Sequence, residues 1–464
     1  MFKENRVKEN GEKTIAAIAT AQGTGGIGVI RISGEHAFAI AERVFRPAGS
    51  KKVKEMKGYT AAYGSVYDGE EKLDEGILLV FRAPHSYTGE DVAEISCHGG
   101  IYVTKSILRA VFSAGASPAG PGEFTQRAFI NGKLGLTEAE AVMDIIGAKG
   151  KNAARAALSC REGALSRKID KICEKLTETA AHLSAWADYP EEDIPQVSVE
   201  TLSQSLNAAI AALEELLKGY DAGKAACEGV ETLITGKPNV GKSTLMNLLA
   251  GCERSIVTDI PGTTRDMIEE TVALGNVMLR LSDTAGLRNT DNPVEKIGVE
   301  RAKQKLKSCG LVLAVFDNSS PLSAEDKEML HLLAGTPTIA VINKTDLGGR
   351  LETEIIKKYV DEVVFISAAN AQGIDKLVQA VEKVTGTQEF DPSQGILATE
   401  RQRNAVSNAL KAVEEAVFAL QSGITLDAVT VSIEEAVGTL LELTGKRASE
   451  EIVHQVFSRF CVGK

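Results

Sequence analysis

The segment Gly236-Lys-Pro-Asn-Val-Gly241-Lys242-Ser243-Thr244-Leu245 follows a run of buried-strand character at residues 232–235 and leads into an amphipathic stretch. A G-x-x-x-x-G-K-S loop in that position is built to hold phosphates, because its glycines let successive backbone N–H groups wrap the oxygens. Asn239, Val240 and Gly241 supply such groups, Lys242 offsets β- and γ-phosphate charge, and Ser243, with Thr244 beside it, offers a hydroxyl to Mg²⁺. The start of the following helix adds a favourable dipole.

Four further segments fall in the order that a guanine-nucleotide switch requires. Asp259-Ile260-Pro261-Gly262-Thr263-Thr264 supplies a threonine, Thr264, able to complete the Mg²⁺ shell, and Asp283-Thr284-Ala285-Gly286 supplies a carboxylate and a glycine near the γ-phosphate. Asn343-Lys344-Thr345-Asp346 and Ser367-Ala368 each follow a strand-like run and are expected to read the base. Guanine offers its N1–H and 2-amino group to a carboxylate at Asp346, whereas adenine has neither donor. Binding ATP would leave that carboxylate desolvated and unpaired, at a cost of about 1–3 kcal/mol. Leu287 stands where many small switches carry the glutamine that orients attacking water, so hydrolysis needs another residue, and Glu295 is the acidic candidate downstream. Asn239 has an amide oxygen able to ligate a monovalent cation beside the phosphates. The competing reading makes Arg265 the arginine finger and Asn239 a cap of the loop turn.

These residues need a multidomain scaffold. At 464 residues the chain exceeds what one hydrophobic core usually supports, and its 44% hydrophobic and 25% charged content is that of ordinary globular protein. A net charge of -11 argues against a broad electrostatic grip on nucleic acid, so any RNA contact should be local or made through a partner. The seven cysteines are scattered without a C-x-x-C pair, which indicates neither a disulfide framework nor a zinc site and fits a reducing, cytoplasmic setting. The polar N-terminal segment and the lack of a long apolar run predict a protein neither exported nor membrane-spanning.

Along the chain, residues 1–125 alternate short strand-like runs (15–19, 29–32, 77–81, 92–95) with helical stretches at 37–44 and 101–114, which reads as a small α+β domain. Residues 126–228 turn helical, notably through 161–186 and 202–217, with a break at Tyr189-Pro-Glu-Glu-Asp-Ile-Pro195. Residues 229–386 alternate buried strands (232–235, 311–316, 338–342, 363–366) with helices, the mark of a doubly wound parallel sheet. Residues 387–464 are helical again and too few to stand alone. They are expected to pack with the earlier helical block and leave the α/β domain as an insertion.

The motifs beyond the nucleotide loop carry a family resemblance. Gly25-Gly-Ile-Gly-Val-Ile-Arg31-Ile-Ser-Gly34, Tyr87-Thr-Gly-Glu-Asp-Val-Ala-Glu94-Ile-Ser-Cys-His98-Gly-Gly100, Gly120-Pro-Gly-Glu-Phe-Thr-Gln-Arg-Ala-Phe-Ile-Asn-Gly-Lys133 and the closing Phe460-Cys461-Val462-Gly463-Lys464 resemble the MnmE (TrmE) family of tRNA modification GTPases almost end to end. The family ending usually carries isoleucine where this chain has Val462. The resemblance implies an N-terminal α+β domain that dimerises and binds tetrahydrofolate, a helical domain made from two chain segments, and an inserted Ras-like P-loop GTPase domain. It implies a homodimer that works with MnmG, an FAD- and NADH-dependent partner, in a heterotetrameric or larger complex on tRNA. The implied product is an aminomethyl or carboxymethylaminomethyl group at C5 of the wobble uridine, U34, its methylene carbon drawn from 5,10-methylenetetrahydrofolate, of which 5-formyltetrahydrofolate is an analogue. Matching motif positions assigns folate contacts to Arg31, Glu94, Lys133 and Lys464, a role in modification to Cys461, and the water-directing role to Glu295. The implied monovalent cation is potassium, held by Asn239 with oxygens of Thr258, Ile260 and Thr263. His98, flanked by two glycines, suits a turn or backbone-packing role better than catalysis. A regulatory GTPase without modification chemistry, and a folate-dependent methylene transferase that uses the GTPase domain only to oligomerise, are the alternatives.

Overall fold

The computed structural model of the protein describes residues 13–50, 52–188, 198–251, 270–283 and 309–464. The chain divides into two compact units, Met1–Met143 with Leu440–Lys464, and Asp144–Thr439.

The first unit is built on a seven-stranded sheet of order β3-β4-β5-β6-β2-β1-β7. Its strands are β1 (Ile15–Ile18), β2 (Ile27–Ser33), β3 (Phe45–Pro47), β4 (Thr60–Asp68), β5 (Glu71–Phe81), β6 (Val92–His98) and β7 (Ser117–Pro118). All neighbours pair antiparallel except β1 and β7. Period-two alternation sorts the side chains: Ile30, Ile32, Leu78, Val80, Ile95 and Cys97 turn to one face and form a core with the helices Ala37–Val44 and Ile101–Ser113. The intervening Arg31 and Glu94 therefore turn to the other face, and the register sets them directly opposite each other. Strands β3 and β4 were not anticipated, since the alternation in 60–68 (Thr-Ala-Ala-Tyr-Gly-Ser-Val-Tyr-Asp) is diluted by alanine and glycine. A second cluster joins the helix Glu123–Ile130 and its neighbours to the C-terminal helix Glu450–Phe457 through Phe129, Leu136, Val453 and Phe457.

The second unit carries a six-stranded sheet of order β13-β12-β11-β8-β10-β9. Its members are β8 (Val230–Thr235), β9 (Glu270–Leu274), β10 (Val277–Asp283), β11 (Leu311–Asp317), β12 (Thr338–Asn343) and β13 (Glu362–Phe365). Five strands run parallel. The edge strand β9 is antiparallel to β10, a departure from the all-parallel expectation that follows from the two-residue turn Gly275-Asn276 joining them as a hairpin. Strand β8 lies between β10 and β11, so the chain order reverses at its carboxyl end, where ligands of open α/β sheets bind. Long helices Ala164–Asp188, Val199–Cys227 and Glu400–Gln421 belong to the same unit, the second opened by a Ser198 side chain that accepts from the Thr201 N–H. Among the described residues no helix is long and apolar enough to cross a membrane.

Candidate nucleotide and cofactor sites

The phosphate loop leaves β8 at the switch point and enters the helix Lys242–Gly251. Lys242 Nζ arches over the loop and donates to the carbonyls of Gly236 (2.9 Å) and Lys237 (2.7 Å), while Ser243 and Thr244 stay exposed at the start of the helix. Asn239 is exposed at φ 63°, in the left-handed region that asparagine tolerates better than most residues. Lys237 makes an ion pair of 2.7 Å with buried Asp326, tying the loop to the helix Ala324–Leu333. Parallel register sets Asp283, the last residue of β10, opposite Ile234, the penultimate residue of β8. The residues Thr258–Thr264, Arg265, Thr284–Gly286 and Glu295 lie outside the described residues.

The residues expected to read the base divide into two kinds. Asn343 is only 3% exposed and acts as a strut: its Nδ2 donates to the Val240 carbonyl at 2.9 Å and its Oδ1 accepts from the Ala368 N–H at 2.9 Å. The phosphate loop and the Ser367-Ala368 loop are thereby fixed to one side chain. Gly241, at φ 98°, passes so close that a Cβ there would collide with Asn343 Nδ2. Lys344 bridges Asp317 (2.7 Å) and the Asn239 carbonyl (2.6 Å). Asp346, by contrast, is exposed, and its Oδ1 accepts from Ser367 Oγ at 2.6 Å, which fixes the orientation of the carboxylate and leaves acceptor capacity facing solvent. The sequence alone did not distinguish the buried strut from the exposed carboxylate.

In the first unit Arg31 Nε donates to Glu94 Oε1 at 2.7 Å, and Arg31 Nη1 reaches the Gly463 carbonyl at 3.4 Å. The C-terminal tail is held there by a bridge between Val462 and Pro121 and by Gly463, at φ 102°, whose Cα lies where a Cβ would collide with the Ile18 carbonyl. Lys464 is half-buried in consequence. Burial first, then the nearby Arg31 charge, pushes its pKa down, and Glu94 partly offsets both. Arg31, Glu94 and Lys464 thus form one cluster of two cations and one carboxylate, suited to a ligand with an acidic tail and a hydrogen-bonding edge. Lys133 is exposed and donates at 3.1 Å to the carbonyl of Pro84, in the segment between β5 and β6 that also carries Tyr87. Cys461 is exposed beside this tail, whereas Cys97 and Cys227 are pushed up to about 11 and about 12 by burial and have no thiolate to offer. His98 ends β6, exposed, with Nδ1 2.7 Å from Asp74 Oδ1, a strand-end pairing rather than a turn.

Two groups escaped the sequence reading. The rings of Tyr87 and Phe124 lie 5.4 and 5.5 Å from the Arg31 guanidinium and confine it. Behind them Arg127, 2% exposed, pairs with Glu90 (3.1 Å) and Glu123 (2.9 Å), while Ser33 Oγ bonds Thr88 Oγ1 and Glu90 Oε2 at 2.7 Å each. The charges of the Thr-Gly-Glu-Asp and Gly-Glu-Phe-Thr-Gln-Arg stretches were the available signal, read as motif rather than as an internal network.

Comparison with known proteins agrees over most of the chain. Two family models match, "GTP-binding protein TrmE N-terminus" over residues 14–133 and "MnmE helical domain" over residues 136–461. The chain is similar to the tRNA modification GTPase MnmE of Clostridioides difficile (42% identical over 456 residues, 98% of this chain and 99% of the relative). It is equally similar to that of Symbiobacterium thermophilum (43% over 458 residues, 98% and 100%). Among solved structures, an Era variant of Aquifex aeolicus bound to GDP·AlF4⁻ matches at 31% identity over 39% of this chain and 66% of its own, with a TM-score of 0.29.

Proposed function

We propose, for a chain that belongs to the MnmE family of tRNA modification GTPases, that GTP hydrolysis serves folate-dependent modification at C5 of the wobble uridine of tRNA. The observation that carries the folate part is the juxtaposition of Arg31, Glu94 and Lys464, which brings a β2 residue, its β6 neighbour and Lys464 together on the face of one sheet away from its main core. Glu94 accepts from the amide-like edge of a pterin, and the three cations Arg31, Lys464 and Lys133 draw the glutamate tail. When bound, 5,10-methylenetetrahydrofolate supplies the methylene carbon. The half-buried, charge-crowded Lys464 fits a role as counter-ion for an anionic cofactor, because an added carboxylate relieves the repulsion from Arg31.

At the nucleotide site, Asp346 accepts from guanine, the N–H groups of residues 239–244 and Lys242 hold the phosphates, and Ser243 with Thr264 forms the Mg²⁺ ligand pair. Mg²⁺ supplies charge that offsets the β- and γ-phosphates. Asn239, exposed at the loop's left-handed turn, has its amide oxygen available to a potassium ion, with Thr258, Ile260 and Thr263 as the remaining ligands. Glu295 directs the attacking water. The working form is a homodimer associated with the FAD-dependent MnmG, acting in the cytoplasm.

Mass spectrometry of tRNA nucleosides from a strain lacking this chain tests the reading. C5-aminomethyl wobble modifications should disappear and return with the wild-type gene, but not with Arg31→Ala. An unchanged nucleoside profile in the deletion strain refutes it.

A further inference from the structure

We infer that Asp317 is a positioning residue of the guanine-nucleotide site, acting through Lys344 to hold the Asn239 carbonyl and with it the turn of the phosphate loop. Asp317 closes β11 and is the register partner of Asn343, the last residue of β12, so both stand at the carboxyl edge of the sheet facing the loop. Its Oδ2 lies 2.7 Å from Lys344 Nζ, and the same ammonium donates to the Asn239 carbonyl at 2.6 Å. The second oxygen, Oδ1, is fixed by the N–H and hydroxyl of Ser319 at 2.9 and 2.6 Å.

Two backbone facts make this more than a surface ion pair. Lys344 and Asn239 both adopt left-handed conformations, at φ 62° and 63°; asparagine tolerates that region, whereas for a lysine it is uncommon and favours a held side chain. One ammonium touches both ends of that arrangement: it belongs to Lys344 and it caps the carbonyl of Asn239. The pair is also partly withdrawn from water, with Asp317 15% and Lys344 29% exposed, so its geometry is defined better than that of an exposed pair. Burial raises the Asp317 pKa, but hydrogen bonds from Lys344 and Ser319 and the Lys344 charge outweigh it and hold the carboxyl below its ordinary value, so it is ionised under working conditions. Without Asp317, the lysine is free to swing to solvent, and the Asn239 carbonyl loses the donor that fixes the N–H groups on either side of it toward the phosphates.

The test uses the full-length protein and fluorescent GDP. Release rates are measured for wild type, Asp317→Asn, Asp317→Ala, Lys344→Ala and the Asp317→Ala/Lys344→Ala double variant, with melting temperatures of each. Asp317→Asn keeps an acceptor for Ser319 but turns an amide NH2 toward Lys344, removing the charge and the acceptor that hold the ammonium, so it reports on the ion pair if Asp317→Ala folds poorly. GDP release should accelerate roughly 5- to 30-fold in Asp317→Asn and Asp317→Ala. The double variant should release no faster than Lys344→Ala, because among the described residues the Asp317 carboxylate bonds Lys344 and Ser319, and of these Lys344 touches the loop. Additive losses in the double variant overturn the inference, as does a release rate within twofold of wild type in both Asp317 variants, whether or not their melting temperatures fall.

Discussion

Replacing Asn343 by alanine should damage the nucleotide site without removing any group from the nucleotide itself. Asn343 is 3% exposed and its amide joins the Val240 carbonyl to the Ala368 N–H, both at 2.9 Å, with Val240 itself 2% and Ala368 5% exposed. Truncation leaves one buried acceptor and one buried donor unpaired, at about 1–3 kcal/mol each, or about 2–6 kcal/mol together. If about half appears as lost affinity, because the two orphaned loops flank phosphate and base, GTP and GDP should bind roughly 5- to 150-fold more weakly. The remainder should appear as a lower melting temperature. Asn343→Asp separates the two contacts. It keeps the acceptor for Ala368 but turns an anion toward the Val240 carbonyl, and a protonated carboxyl restores the lost donor. Burial and that carbonyl both raise the aspartate's pKa, so nucleotide affinity of Asn343→Asp should rise as pH falls through it, whereas Asn343→Ala should show no such gain. Equilibrium titration with fluorescent GDP between pH 5 and 8, with melts at each pH, checks both. An Asn343→Ala variant that binds GDP within twofold of wild type would refute the strut.

Asp346→Asn should shift preference from guanine toward xanthine nucleotides, since it exchanges an acceptor for a donor at an exposed carboxylate that Ser367 aims, and competition with GTP, ATP and XTP reads this out. Glu295→Ala should abolish most turnover and leave GTP affinity nearly intact, because a group acting on the attacking water contributes in the transition state; parallel loss of binding would reject the assignment. Turnover should be faster in KCl than in NaCl at one ionic strength, and Asn239→Ala should erase the difference; equal rates for wild type in the two salts would instead make Arg265 the residue to test. Gly463→Ala should displace the C-terminal tail, both because φ 102° disfavours a side chain and because its Cβ meets the Ile18 carbonyl, and should weaken binding of 5-formyltetrahydrofolate in calorimetry while GDP binding is unchanged.

The nucleotide site was legible because its chemistry is local. A phosphate loop is a short run of backbone N–H groups whose spacing is fixed by consecutive residues, and Gly236 through Ser243 declare it in eight letters. The alternation that places Arg31 and Glu94 on the face away from the core is also readable strand by strand. What the pattern does not contain is partnership at long range. Nothing local to residue 31 says that residue 94, 63 positions on, is its neighbour, or that residue 463 returns to it. The β9–β10 hairpin was missed for a different reason: its Gly275-Asn276 turn sits between runs of valine and leucine that a buried parallel sheet also shows.

The division between reader and support recurs in both units and explains why motif residues are poor guides to contact. Asn343 and Lys344 belong to the base motif but spend their hydrogen bonds on Val240, Ala368, Asn239 and Asp317. Arg127 and Glu90 belong to the N-terminal motifs but turn inward, where Arg127 also leaves its Nε buried without a hydrogen-bond partner among the described residues. A charged network of this kind contributes little net stability against an apolar replacement of the same volume, yet losing one member leaves the others buried and unpaired. Its value is therefore conformational: Glu90 is held by Arg127 and Ser33, Thr88 by Ser33 and Asn131, and between them the loop presents Tyr87 to Arg31. Residues such as Asp346 and Tyr87 are held in place by partners that are themselves buried, Ser367 in one case and Thr88 with Ser33 in the other.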